Sequence, residues 1–104
     1  MKNSVYIVPL KNIFNTDFIG TRASGEIIRE IAYREIKKGN KTILDFKDIN
    51  GITQSFGDEI IGIFIEKFGF DFVKKNMNIK NANDGIKTIL NMVARYRRKT
   101  SMAA

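Results

Sequence analysis

The chain has no cysteine and no histidine, and Pro9 is the single proline among its 104 residues. Without cysteine there is no disulfide framework and no thiol chemistry. Without histidine, the commonest general base and the commonest transition-metal ligand are both missing. One proline, and no stretch rich in glycine and serine, leaves no candidate linker. Internal repeats and low-complexity segments are absent as well. These absences point to a single domain over residues 1–104, with a basic tail from about residue 98 that need not be ordered. A chain of this size buries roughly 65% of its unfolded surface, enough for one core.

Long hydrophobic runs are also lacking. The N-terminal run "VYIVPL" is too short for a secretory signal. The densest apolar stretch, "IIGIFI", is far below the ~20 residues of a membrane span. The expectation is a soluble cytoplasmic protein with no membrane attachment. Charge is plentiful and uneven. There are 18 Lys/Arg against 11 Asp/Glu, a formal net charge of +7. All the acids lie before residue 86, and the last 19 residues carry Lys87, Arg95, Arg97, Arg98 and Lys99 unopposed. A basic end can meet nucleic acid or an acidic partner. It can equally complement the dipole of its own helix.

The patterning alternates strand and helix. "SVYIVPL" (4–10) reads as a strand, and residues 11–20 as a loop with a short strand at Ile13–Phe14. Thr21 caps a helix over 22–38, with Ile27, Ile28, Ile31 and Ala32 on its apolar stripe, ended by Gly39-Asn40. "KTILDF" (41–46) is a buried strand and "KDINGI" (47–52) a turn. A second helix runs from Phe56 to Phe68 and stops at Gly69. "MNI" (77–79) is a short strand, and Asn81 caps a third helix from Ala82 to about Arg97 with Ile86, Ile89, Leu90 and Val93 as its face. This order predicts an α/β sheet. At 100° per residue the apolar residues of the second helix, Phe56 to Phe68, span about 200°, twice the ~100° stripe of an ordinary surface helix. Either neighbours cover both flanks, or part of that surface is kept for a partner.

Candidate chemistry is sparse. There is no G-x-S-x-G elbow, no Walker loop and no G-x-G-x-x-G. Asp45, Asp48, Asp58 and Glu59 could gather at one sheet end as oxygen ligands for Mg²⁺. Their spacing matches no metal motif, and no metal or cofactor is expected. What stands out is "DINGITQSFGDEII" (48–61), where a turn becomes a helix at Ser55. Ser55-x-x-Asp58 is a capping-box pattern, and Asp58 and Glu59 suit the positive end of a helix dipole. Arg22 opens the first helix at the same sheet edge and is expected to pair with Asp58 or Glu59.

Taken together, "TRASGEIIREIA", "KKGNKTILDFKDINGITQSFGDEIIGIF" and "MNIKNANDGIKTIL" resemble the STAS-like domains of unknown function, relatives of the anti-sigma factor antagonists. The resemblance runs from about Thr21 to Leu90. It implies a small STAS-like sandwich, a mixed sheet of about four strands with helices mainly on one face. It also implies a non-enzymatic signalling module of bacterial or phage origin. STAS domains bind other proteins, above all histidine-kinase-like ATPases of the switch-kinase type, and some take small anionic ligands or nucleotides. In the antagonists a serine at the start of the second helix is phosphorylated, and Ser55 falls on that position. A phosphate there would add about −2 charge beside Asp58 and Glu59, which repel it.

The expected partner-binding set is therefore Arg22, Thr53, Gln54, Ser55, Phe56, Asp58 and Glu59, with Ser55 as cap and candidate phosphosite. The alternative is a nucleic-acid-binding accessory protein using Arg95, Arg97, Arg98 and Lys99.

Overall fold

The computed structural model describes residues 4–103. Strand β1 (Val5–Pro9) runs into a short helix α1 (Leu10–Phe14), a two-residue strand β2 (Phe18–Ile19) and the long helix α2 (Arg22–Lys37). Strand β3 (Lys41–Asp45) and the short β4 (Gly51–Ile52) follow. The second long helical stretch has three parts: α3 (Gln54–Gly57), a π-helical turn (Asp58–Gly62) and α4 (Ile63–Phe68). Helix α5 (Phe70–Asn76), strand β5 (Met77–Lys80) and helix α6 (Asp84–Ala103) complete the chain.

β1, β3 and β5 form one parallel sheet in that order, with Ile7 beside Ile43 and Ile43 beside Asn78; β2 and β4 pair in a second, parallel ribbon. The sheet is therefore not the single mixed sheet of about four strands that the resemblance implies. Every pairing among the described residues is parallel, and the strands divide three and two. The order explains the layering. The strands advance in one direction across the sheet, and parallel crossovers are right-handed, so both crossovers lie on the same face. Helices α2 and α5 accordingly pack on one side, against Val8, Thr42, Leu44 and Met77, all buried. The expectation of helices mainly on one face is met.

Several local readings are corrected. Residues 10–14 are helix rather than loop and strand, and Leu10 from this turn is wholly buried. The short strand of this region lies later, at Phe18–Ile19, because it pairs with Gly51–Ile52 inside what reads as a simple turn. Helix α5 is an element beyond those expected from the patterning; Gly69, at φ 95°, ends one helix and lets the next begin at once. Thr21 does cap α2, accepting from Ser24 N at 3.0 Å. Asn81 does not cap the last helix: it sits at φ 61°, and Asn83 accepts from Ile86 N at 2.9 Å instead. Residues from 98 onward continue α6 as helix to Ala103.

The second long helix owes its wide apolar face to the π turn. There Ile63 N donates to Asp58 O, five residues back, so the turn holds one residue more than an α-turn. Everything beyond it lags by roughly one residue's rotation, ~100°. Phe64 and Ile65 thus come into line with Phe56 and Ile60, all buried, while Ile63 drops to the margin. With α2 on one flank and α6 on the other, neighbours cover most of the helix, while half-buried Ile63 and Phe68, 42% exposed, keep some apolar surface at its margin. Two glycines permit the approach. A Cβ on Gly25 of α2 would collide with Glu59 Cβ, and one on Gly62 would collide with Asp58 Oδ1 and stand 3.0 Å from Arg97 Cγ.

The cap of this helix is Thr53, not Ser55. Thr53 Oγ1 accepts from Phe56 N at 3.1 Å and donates to Gly20 O at 2.7 Å, while its own N–H donates to Ile19 O at 3.2 Å. The helix begins two residues before the place the apolar run suggests, because Thr53 is already held at the end of the β2–β4 ribbon. Thr53→Ala therefore removes a cap and a part-buried bond to Gly20 O, and should cost about 1–2 kcal/mol in urea unfolding. Ser55→Ala should stay within about 0.5 kcal/mol of the parent. The reverse ranking would mean that the cap is misassigned.

Candidate functional site

The start of the second long helix meets α2 and α6 around one buried carboxylate. Asp58 is 7% exposed. Arg97 of α6 grips it with both arms, Nε to Oδ1 at 2.8 Å and Nη2 to Oδ2 at 2.6 Å. Arg22, at the first position of α2, donates from Nη1 to Asp58 Oδ2 at 3.2 Å and to Glu59 Oε2 at 2.7 Å. The outer ring closes with Arg29 donating to Glu59 and Arg97 donating to Glu66. Glu26 stands 3.7 Å from Arg29. The expected pairing of Arg22 is present with both acids at once.

Electrostatics follow from this geometry. Hydrogen bonds from Arg97 hold the Asp58 carboxyl below the usual carboxylate range; burial pushes the other way and is outweighed, and Arg22 adds to the lowering. Bonds to Glu59 and Asp58 raise Arg22, and the bond to Asp58 raises Arg97. The acids that would repel a phosphate on Ser55 are thus already matched by three guanidinium groups. The repulsion anticipated from sequence is offset inside the fold.

The expected set divides on inspection. Phe56 is wholly buried, edge-on to Phe14 of α1 with ring centroids 6.4 Å apart, so it belongs to the core and not to a contact surface. Thr53 is committed to the cap, and Asp58 and Glu59 to arginines. Arg22 and Gln54 are exposed and Ser55 half-buried; these three, with Asp58, Val93 and Tyr96, line a shallow depression of about 210 Å³. Tyr96 is 62% exposed.

Sequence reasoning missed Arg97 and Tyr96 as members of this site. A signal existed: Arg97 follows Val93 by one turn, on the stripe of Ile86 and Leu90. A cation on an apolar stripe calls for a buried acid opposite. The π turn that aims Asp58 at it leaves no such trace.

The four cations of the basic end are not equivalent. Arg97 is tied to Asp58 and Glu66, and the Arg98 guanidinium lies 3.9 Å from the centre of the Phe70 ring. Arg95 and Lys99 are exposed. The four acids weighed as Mg²⁺ ligands do not converge either. Asp45 accepts from Asn81 Nδ2 and Lys47 N, at 2.9 and 3.0 Å, while Asp58 and Glu59 face arginines. Among the described residues no three His, Cys, Asp or Glu are grouped to hold a metal ion, and no helix is long and apolar enough to cross a membrane.

Parallel strands with helices on one face, and a second long helix opening beside Ser55, define a small α/β domain. The chain belongs to the family described as STAS-like domain of unknown function (DUF4325), whose model matches residues 24–87. No match was found among curated proteins or among solved structures. The matched span contains Ser55, Asp58, Glu59 and Arg29 and leaves out Arg22 and Arg97, so both arginines that bind Asp58 lie beyond it.

A pH prediction follows. The folded pKa of Asp58 lies below the unfolded value of about 3.9. Its stabilisation is complete above that value and drains away as pH falls through the folded pKa. Urea midpoints measured from pH 7 down to pH 2 should fall steeply below about pH 4. Asp58→Asn should be less stable at pH 7 by about 3 kcal/mol, since Arg97 and Arg22 both lose the buried charge that they share at Asp58. The variant should also show a shallower acid limb. A limb of unchanged steepness would assign the acid sensitivity to other carboxylates.

Proposed function

We propose that this domain is a non-enzymatic regulatory module that binds a protein partner through the start of its second long helix. A histidine-kinase-like ATPase, or another signalling component, is the class of partner that its STAS-like relationship favours. The observation that carries this reading is the depression beside Ser55. Its acids are neutralised from within, so it presents Arg22, Gln54, Ser55 and the Tyr96 ring to solvent. Tyrosine and arginine are the side chains that most often anchor protein interfaces. The Ser55 side chain has no hydrogen-bond partner among the described residues. The cap beneath it is supplied by Thr53, which leaves the hydroxyl available for contact.

Support for the nucleic-acid reading is weaker, because two of its four cations are engaged within the fold. Its signature would be steep loss of affinity with salt.

A photo-crosslinking residue at Gln54 tests the proposal in cells of the source organism. It should capture a protein of the ATPase class, the same residue placed at Lys74 should not, and excess unmodified domain should compete. With the purified partner, Tyr96→Ala and Ser55→Asp should each weaken binding about tenfold or more, and Ser55→Asp should leave the unfolding midpoint near that of the parent. Capture from Lys74 but not from Gln54 would move the interface elsewhere. Capture of nucleic acid, abolished by salt, would favour the alternative.

A further inference from the structure

We propose that the helix-free face of the three-stranded sheet is the interface of a homodimer, in which two copies pack sheet against sheet with their β3 strands antiparallel. The surface lies on the far side of the sheet from the Ser55 depression and does not depend on the reading given for it.

Topology leaves this face bare, since both right-handed crossovers lie on the other side. A parallel sheet open to water is unusual; such sheets are nearly always covered on both faces. The side chains agree. Thr42 and Leu44 point under the helices, so Lys41, Ile43 and Asp45 point away from them. On the neighbouring strand Val5 and Ile7 share that outer face, 54% and 47% exposed, in register with Lys41 and Ile43. The centre of the face is therefore an apolar patch of exposed Val5 and Ile7 beside half-buried Ile43.

Charge selects the occupant. Lys41 and Asp45 stand two residues to either side of Ile43 on the same strand face. A two-fold axis lying across the strands at Ile43 sets Ile43 on Ile43 and Ile7 near Ile7. It also sets Lys41 of each copy opposite Asp45 of the other, twice. Sheets pack about 10 Å apart, a gap that a lysine and an aspartate span together. The other two-fold arrangement, with the axis along the strands, would place Val5 and Ile7 over the Asn78 and Lys80 column and lysine near lysine. The face is thus complementary to itself in one orientation. It is also small, three strands wide, at roughly 15 by 17 Å. That is about 250 Å² on each copy, below the size of stable interfaces, so the dimer is a weak and transient one that forms at the upper end of the micromolar range.

Sedimentation equilibrium of the full chain between about 5 and 500 µM tests this. A reversible monomer–dimer equilibrium is expected, and Ile7→Lys, at an exposed position, should weaken it at least tenfold while circular dichroism and the unfolding midpoint hold. Lys41→Glu should weaken it similarly, and adding Asp45→Lys should recover most of the loss. The natural chain has no cysteine. Ile7→Cys should therefore join to itself through a short bis-maleimide in the antiparallel arrangement and fail to do so in the parallel one. A monomer across the whole range overturns the proposal and leaves the face to another protein or another segment. A dimer that is indifferent to Ile7→Lys overturns it by placing the contact elsewhere.

Discussion

The bidentate pair between Asp58 and Arg97 is the contact on which the helical layer depends. A carboxylate almost wholly removed from water is expensive unless it is paired and fully hydrogen-bonded. Here both oxygens are gripped by a guanidinium from α6, and one of them also by Arg22 from α2. One side chain thereby fixes the relation of three helices. The π turn starts at Asp58, and Gly62 at its end is the residue with no room for a Cβ beside Asp58 Oδ1. The irregular turn, the glycine and the ion pair form one local solution. Each is hard to replace without the others, and the second long helix takes its apolar alignment from the same turn.

Much of this architecture is legible in the sequence where local signals and global packing agree. Thr21, the stripe of α2, the strand "KTILDF" and the face of α6 are examples, and the STAS-like relationship follows from their order. The failures have physical reasons. Ser55 is the better cap by pattern, but Thr53 is held by Gly20 and Ile19, and tertiary bonding decided the helix start. Asn83 prevails over Asn81 in the same way, since its side-chain nitrogen also donates to Asn50 O across the loop. The short parallel ribbon of β2 and β4 has only two residues per strand, too few for an alternating pattern to register. The extra residue in the π turn is invisible to any reading that assumes 100° per residue.

Charge illustrates a further limit of composition. A net +7 with every late charged residue basic suggests a surface field for an acidic ligand. In the fold, part of that basic end is turned inward. Arg97 neutralises Asp58, and Arg98 rests on Phe70. The consequence for function is indirect. By absorbing the acids at the helix start, the arginines leave Ser55, Gln54 and Tyr96 on a surface without strong negative charge, and that surface is what the proposed partner would meet.

A double-mutant cycle on Asp58→Ala and Arg97→Ala, read by urea unfolding at pH 7, tests this account most directly. If the pair locks α6 onto the second long helix, each single change should be strongly destabilising and the double change little worse than either. The coupling energy should then be about 2 kcal/mol or more. Additive effects, with a coupling below about 0.5 kcal/mol, would contradict the account, because the helices would then be held by their apolar faces alone.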